Sequence, residues 1–263
     1  MQKSDIFPAE GRQAGPDLTR IYDKNFHHGH IDASLQSARI YLKYFWQFFQ
    51  PDSVLDVGCG RGAWLKACHE LGSNTLIGFD GGWNDQSSMI DDAICFQTVN
   101  LNEPFSIPQK VDLAMTLEVA EHLDPATAPQ FVNCLADAAD VVLFSAAYKN
   151  QGGTYHINEQ PHSFWAHLFA KHDFVPFDLF RPVFWGNEDI SYWYRQNVFL
   201  YLEKNSAACQ KLRAHGFSEI ADVSFMNCIH PQLYDRKNIP PSVLSHVRDF
   251  VPSLRRALRR RVS

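Results

Sequence analysis

The stretch SVLDVGCGRGAWL, residues 53–65, decides the fold of this chain. Three apolar residues flank Asp56, and glycines then stand at positions 58, 60 and 62. A short apolar run that breaks into spaced glycines is typical of a buried strand followed by a tight turn. The helix-compatible residues 63–68 predict that this turn opens a helix. Because glycines let a backbone approach a ligand and a helix N-terminus offers unpaired N–H groups, the stretch predicts a ligand site.

Strands and helices alternate along the rest of the chain. Beyond the strand of the opening stretch, strands are predicted at residues 75–79, 93–99, 111–117, 141–147, 174–180 and 197–202. A first helix is predicted from Asp32 or Ser34 to Phe49, and further helices at 62–71, 84–90, 119–123, 126–138, 162–171 and 205–215. This spacing indicates βαβ units with right-handed crossovers. The predicted fold class is α/β, with a Rossmann-like, mostly parallel seven-stranded sheet and helices on both faces.

The domain organisation follows from the same pattern. We expect an N-terminal arm over residues 1–30, which includes the histidine-rich FHHGH at 26–30, and a main domain over residues 31–203. Residues 204–263 are predicted as a C-terminal helical extension, whose last residues form an arginine-rich tail. Such a tail suits a solvated helix, since cations are favourable near a helix C-terminus.

Composition limits the function classes. The chain has 263 residues, 45% of them hydrophobic, and a formal net charge of −5, which argues against a general nucleic-acid binder. Its six cysteines are scattered without paired spacing, which favours reduced thiols. The first thirty residues lack an apolar signal core and no long apolar run occurs. We therefore expect a soluble, cytoplasmic protein without a transmembrane segment.

The glycine spacing distinguishes between two kinds of nucleotide site. A dinucleotide fold uses GxGxxG, whereas this chain has Asp56-x-Gly58-x-Gly60-x-Gly62. An acidic side chain at that strand end repels a pyrophosphate but suits an ammonium group. Asp80, at the end of the second strand, can accept hydrogen bonds from a ribose diol. Together these features indicate a nucleoside with a cationic amino-acid tail, which is S-adenosylmethionine.

Three motifs resemble the class I S-adenosylmethionine-dependent methyltransferases: LDVGCGRG, the strand-end Asp80, and LEVAEHL at 117–123. The resemblance covers roughly residues 53–147 and implies the class I methyltransferase fold. It implies that the glycines approach the methionine part and that residues 99–101 flank the adenine. Asn100 stands where the family often has aspartate, and an amide can still pair with the adenine edge. The cofactor-binding residues implied are Asp56, Gly58, Cys59, Gly60, Gly62, Asp80, Gly81, Asn100, Leu101, Leu117 and Glu118.

The segment EVAEH at 118–122 predicts the chemistry. If a helical turn begins there, Glu118, Glu121 and His122 share one face and form a site for a hard cation, Mg²⁺ or Mn²⁺. His156, in the loop after the fifth strand, is the candidate fourth ligand. The segment is similar to the metal site of small-RNA terminal 2′-O-methyltransferases and to ExxEH segments of ubiquinone-pathway O-methyltransferases. That resemblance implies a vicinal diol or catechol as the group bound by the metal.

A reading without metal stays open for the same residues. EVxEHL-like segments recur in methyltransferases that have no metal, with Glu118 lining the cofactor and His122 packing the turn. His156 would then be the general base, since a neutral imidazole can accept a hydroxyl proton. The predicted catalytic residues in either case are His156, Glu121 and His122.

The acceptor is predicted from the loop around His156. Residues 155–161 are dense in polar groups, and the pattern FSAAYKNQGGTYHINEQ resembles bacterial methyltransferases of surface-polysaccharide or secondary-metabolite pathways. This implies a hydroxylated small molecule, such as a sugar or glycoside, as the partner. Two alternatives remain: an RNA 2′-O-methyltransferase, which needs a basic groove, and a non-catalytic cofactor-binding partner protein. Candidates for stacking on a sugar ring, or for core packing, are Trp165, Trp185, Tyr192, Trp193 and Tyr194.

Overall fold

A computed structural model describes residues 24–238 of the chain, with side chains described from residue 31 onward. Seven strands form one sheet, and their bounds are β1 Ser53–Val57, β2 Thr75–Asp80, β3 Ile94–Thr98, β4 Leu113–Leu117, β5 Val141–Ser145, β6 Phe174–Phe177 and β7 Phe199–Glu203. Their order in the sheet is β3-β2-β1-β4-β5-β7-β6. The first five strands run parallel, and β7 is inserted antiparallel between β5 and β6. The predicted mostly parallel seven-stranded sheet is confirmed.

The helices connect these strands and extend past the last one. Their bounds are α1 Lys24–Phe45, α2 Ala63–Glu70, α3 Ala128–Ala138, α4 His162–Ala170, α5 Arg181–Phe184, α6 Tyr192–Asn197, α7 Ala207–Ala214 and α8 Pro231–Lys237. None of the helices between residues 24 and 238 is both long enough and apolar enough to span a membrane.

Several predicted helix boundaries were wrong. Helix α1 begins at Lys24, before the expected cap, so residues 24–30 of the predicted arm are helical. The helices predicted at 84–90 and 119–123 are short 3₁₀ turns, Gln86–Ser88 and Ala120–His122. Residues 1–23 of the arm and 239–263, with the arginine-rich tail, lie outside the described residues.

Alternation along the strands divides the core between the two faces of the sheet. Val54 and Leu76 belong to an apolar cluster with α1 and α2, whereas their neighbours Leu55 and Ile77 pack with α3 and α4. Successive side chains of a strand point to opposite faces, so the two clusters lie on opposite sides. Helices therefore cover both faces, as predicted, and the carboxyl ends of β1, β2, β4 and β5 open at one edge.

Helix α1 is held against the distal part of the chain by Tyr41. Its ring is buried and packs on Phe180 and Phe184, with ring centroids 5.0 and 4.8 Å away. Its hydroxyl donates a hydrogen bond of 2.8 Å to the carbonyl oxygen of Tyr194 in α6. This bond joins α1 to Tyr194, which also borders the candidate site.

Tyr41→Phe removes only this hydroxyl and leaves a buried carbonyl without its donor. We expect the free energy of unfolding to fall by about 1–2 kcal/mol, measured by urea denaturation. Tyr44→Phe is the matched control, because Tyr44 is half-buried on the same helix. Equal effects of the two substitutions would show that the Tyr41 hydroxyl does not secure α1.

Candidate active site

The glycine turn after β1 adopts a backbone that only glycine fits. Gly58 has φ +82, and a Cβ at that position would lie 2.3 Å from a Cγ of Val119. Its N–H donates to the carbonyl of Phe79 at 2.7 Å. The turn is thereby pressed between the ends of β2 and β4, which keeps its backbone at the open edge of the sheet.

Asp80 fixes the turn from the end of β2. One carboxylate oxygen accepts the N–H of Gly60 and the other accepts the N–H of Gly81, both at 2.6 Å. Asp80 is buried, and burial raises the pKa of its carboxyl, although these hydrogen bonds oppose the shift. Each carboxylate oxygen has further acceptor capacity, so Asp80 can also receive hydroxyl groups of a ribose.

A cavity of about 490 Å³ opens beside Asp80 and forms the larger of two chambers. Predicted cofactor-binding residues supply much of its wall: Gly58, Gly60, Asp80, Gly81, Asn100, Leu101 and Glu118. Asn100 lines it with both ends of its amide engaged, since Nδ2 donates to Glu103 at 2.9 Å and Oδ1 accepts from the N–H of Asn102 at 3.2 Å. The side chain of Asn100 therefore stabilises the turn that follows β3.

A smaller chamber of about 170 Å³ shares Gly58 and Gly60 with the larger one. It is lined by three more predicted residues, Asp56, Cys59 and Leu117. Gly62, by contrast, is the N-cap of α2 and lines neither chamber. The two chambers meet at the glycine turn, which suits a ligand with two parts.

Sequence reasoning missed several wall residues. Arg61 lines the small chamber. Trp83 and Tyr155 line the large one, and the indole of Trp83 covers Gly81 so closely that a Cβ there would lie 2.3 Å from the ring. The signal for Trp83 was present as a tryptophan just after the Asp-Gly-Gly at the end of β2. Of the aromatic residues proposed to stack on a sugar, Tyr194 alone lines a chamber, and Trp165 is buried in the core.

The acid–imidazole cluster forms at the end of β4. Glu121, His122 and His156 each offer a ligand atom, and these atoms lie within 4.8 Å of one another. Glu121 is fully buried, and neither of its carboxylate oxygens has a hydrogen-bond partner among the described residues. Burial, followed by the negative charge of Glu118, raises the pKa of Glu121 well above its usual range.

Both imidazoles of the cluster are oriented by acceptors on their Nδ1 atoms. His156 Nδ1 lies 2.8 Å from Glu159 Oε1, and His122 Nδ1 lies 3.3 Å from the carbonyl of Tyr155. Burial, followed by the neighbouring His156, lowers the pKa of His122 to about 4, so His122 is neutral near pH 7. Each ring therefore keeps Nε2 available for a cation or a proton.

Three hydrogen bonds hold the loop that carries His156 against the end of β4. The N–H groups of Ile157 and Asn158 both donate to the carbonyl of Glu121 at 2.9 Å, and Asn158 Nδ2 donates to that of Ala120 at 3.1 Å. These bonds explain how a residue more than thirty positions away joins the cluster.

Glu118 stands outside this cluster, contrary to the expectation of one shared helix face. Its φ of +57 is left-handed, and the following turn is 3₁₀, so no α-helical spacing aligns the three side chains. Its carboxylate oxygens instead accept from Asn197 Nδ2 at 3.0 and 3.2 Å and from Gln151 Nε2 at 3.4 Å. Burial raises the pKa of Glu118 to about 7 against these hydrogen bonds.

The buried Asp56 leads to a prediction about stability. Burial, followed by the charge of Asp80, raises its pKa to about 8. Because the unfolded value is about 3.9, stability is lost as pH rises from about 4 to about 8. We expect Asp56→Asn to raise the free energy of unfolding at pH 8 by on the order of 2–4 kcal/mol, and by much less at pH 4.

Urea denaturation at the two pH values measures this effect. Asp92→Asn is the control, because Asp92 is exposed. A gain at pH 8 no larger than at pH 4 would show that Asp56 is not held protonated by burial.

Comparison with known proteins agrees with the fold. The human N-acetylserotonin methyltransferase, solved with S-adenosylmethionine, aligns at 14% identity over 73% of this chain and 60% of its own, with a TM-score of 0.50. A putative methyltransferase in complex with the Trm112 activator of Haloferax volcanii aligns at 12% identity over 73% and 99%, with a TM-score of 0.53. The sugar N-methyltransferase KedS8 of Streptoalloteichus aligns at 13% identity over 77% and 98%, with a TM-score of 0.51.

At identities of 12–14%, the structural similarity supports the fold alone. The family is shown by a match of the amino-acid sequence. No curated protein sequence matches the chain. Residues 29–178, more than half of it, match the family described as a methyltransferase domain. The chain therefore belongs to the methyltransferase-domain family, and its fold is that of the S-adenosylmethionine-dependent class I methyltransferases.

Proposed function

We propose that the protein transfers the methyl group of S-adenosylmethionine to a hydroxyl oxygen of a small hydroxylated molecule, such as a sugar, a glycoside or a secondary metabolite, with the help of a divalent cation. The observation that carries this proposal is the fully buried, unpartnered carboxylate of Glu121 beside two oriented imidazoles. A buried charge without a partner is costly, and a cation removes that cost.

The two chambers suit the two parts of the methyl donor. In the small chamber, Asp56 would hold the ammonium group of the amino-acid tail and Arg61 its carboxylate. In the large chamber, Asp80 would receive the ribose hydroxyls and Leu101 would contact the adenine. Gly58 and Gly60, which the two chambers share, would then border the sulfonium.

The residues present fit a divalent cation. Glu121, His122 and His156 supply one carboxylate and two imidazoles. Imidazole ligands suit Mn²⁺ better than Mg²⁺, which prefers oxygen ligands. A bound cation would supply Lewis acidity that lowers the pKa of the acceptor hydroxyl.

The chain's own side chains position the reactants. Glu159 holds the ring of His156 through Nδ1, which fixes where Nε2 points. Tyr155 lines the large chamber beside His122, and its exposed side chain, like that of Ile157, offers apolar surface to an incoming acceptor. Catalysis is then mainly orientation of a hydroxyl in line with the sulfonium methyl group.

The net charge of −5 favours a small acceptor over RNA. The alternative in which His156 alone accepts the hydroxyl proton uses the same geometry without a cation. A chelator separates the two versions, because it removes the cation and leaves His156 in place.

The test is transfer of a labelled methyl group from S-adenosylmethionine to a panel of glycosides that carry vicinal diols. We expect transfer in the presence of Mn²⁺, its loss in EDTA, and its recovery on adding Mn²⁺ back. Because the Glu121 carboxylate balances the cation, Glu121→Gln is expected to lower the rate by about 100-fold. The exposed Glu188 provides the control Glu188→Gln, with an unchanged rate.

Full activity in EDTA would contradict the role of the cation and leave His156 as the proton acceptor. In that case His156→Ala abolishes transfer. Absence of transfer to every glycoside with Mn²⁺ present would contradict the acceptor class.

A further inference from the structure

Two acidic side chains, the half-buried Glu118 and the fully buried Glu121, lie close together at the end of β4 without a cationic partner. Among the described residues, neither forms an ion pair with a lysine, arginine or histidine. The hydrogen-bond donors to Glu118 are uncharged side chains, and the carboxylate oxygens of Glu121 have no hydrogen-bond partner among the described residues. The proposed reaction brings two cationic centres to this place, a divalent cation and the sulfonium of the donor.

The carboxylates of Glu121 and Glu118 lie in different surroundings, and each suits a different one of these two cationic centres. Glu121 belongs to the cluster with His122 and His156, whereas Glu118 does not. Glu118 lines the large chamber together with Gly58, and the preceding Leu117 lines the small one. Glu118 therefore borders the junction of the two chambers, where the nucleoside and the amino-acid tail of the donor meet at sulfur.

The carboxylate of Glu118 is fixed by residues from distant parts of the chain. Asn197 is fully buried, and its Nδ2 also donates to Gln151 Oε1 at 3.0 Å. Its Oδ1 accepts from Gln196 Nε2 at 2.9 Å and faces His162 Nε2 at 3.1 Å, which fixes the orientation of the amide. Asn197 lies beyond residues 29–178, the part that matches the family.

We propose that Glu118, clamped by Asn197 and Gln151, is the counter-charge for the sulfonium, so that the protein binds S-adenosylmethionine more tightly than S-adenosylhomocysteine. In the reaction the methyl C–S bond breaks, a C–O bond forms, and the sulfur keeps the electron pair. The donor changes from a cation to a neutral thioether, and the proton of the acceptor hydroxyl passes to solvent water. The attraction to Glu118 is then lost, which favours release of the product.

This inference rests on the proposed donor, and calorimetry on the full chain tests both separately. We expect the wild-type protein to bind S-adenosylmethionine about tenfold or more tighter than S-adenosylhomocysteine. Glu118→Gln keeps the side-chain shape and removes the charge, so that ratio falls by about tenfold while the affinity for S-adenosylhomocysteine changes by less than about twofold. Glu188→Gln removes an exposed charge and leaves the ratio unchanged.

A second variant tests whether the orientation of Glu118 matters, and titration with a second ligand tests whether Glu118 binds the divalent cation instead. Asn197→Ala releases the clamp with the charge kept, so the ratio falls by a smaller factor than in Glu118→Gln. Titration with Mn²⁺ alone should show a much smaller loss of affinity in Glu118→Gln, whose charge acts on the cation only through space, than in His156→Ala, which loses a ligand.

Three results would overturn the inference: equal weakening of both nucleosides, an unchanged ratio in Glu118→Gln, or a loss of Mn²⁺ affinity in Glu118→Gln as large as that in His156→Ala. The last result would make Glu118 a ligand of the cation. Failure of the wild-type protein to bind either nucleoside would instead contradict the proposed function itself.

Discussion

Four acidic side chains without a cationic partner among the described residues, gathered at one edge of the sheet, are the constraint on which the site depends. Asp56, Asp80, Glu118 and Glu121 all lie at the carboxyl ends of β1, β2 and β4, and burial raises the pKa of each. Their hydrogen-bond donors, where present, are backbone N–H groups and uncharged side chains. Because burial disfavours the charged form of each carboxyl group, this edge gains most from cationic ligands. The ammonium, the sulfonium and a divalent cation are the charges that it suits.

The fold keeps these groups in place through contacts between distant segments. Asp80 accepts backbone N–H groups from both Gly60 and Gly81, so it ties the glycine turn to the end of β2. The antiparallel insertion of β7 beside β5 brings the end of α6, and with it Asn197, to Glu118. The part of the chain beyond residue 178 therefore completes the site that the family-matched part begins.

Local patterns in the sequence predicted the glycine turn, the acidic residue after β2 and the alternation of strands and helices, because each depends on neighbouring residues. The position of β7 could not be predicted in this way, since strand order depends on pairing between distant segments. The expected helix face at 118–122 failed for a local reason: Glu118 adopts a left-handed backbone that helical spacing cannot anticipate. Asn197 and Trp83 had no recognised motif, and their roles emerged only from contacts across the fold.

Anomalous diffraction from crystals grown with Mn²⁺ and S-adenosylhomocysteine tests the central claim most directly, because it locates the cation without assuming an acceptor. We expect one strong peak within bonding distance of Glu121, His122 and His156, with Glu118 still hydrogen-bonded to Asn197. No peak at these residues at saturating Mn²⁺, or a peak bonded to Glu118 in place of the imidazoles, would contradict the claim.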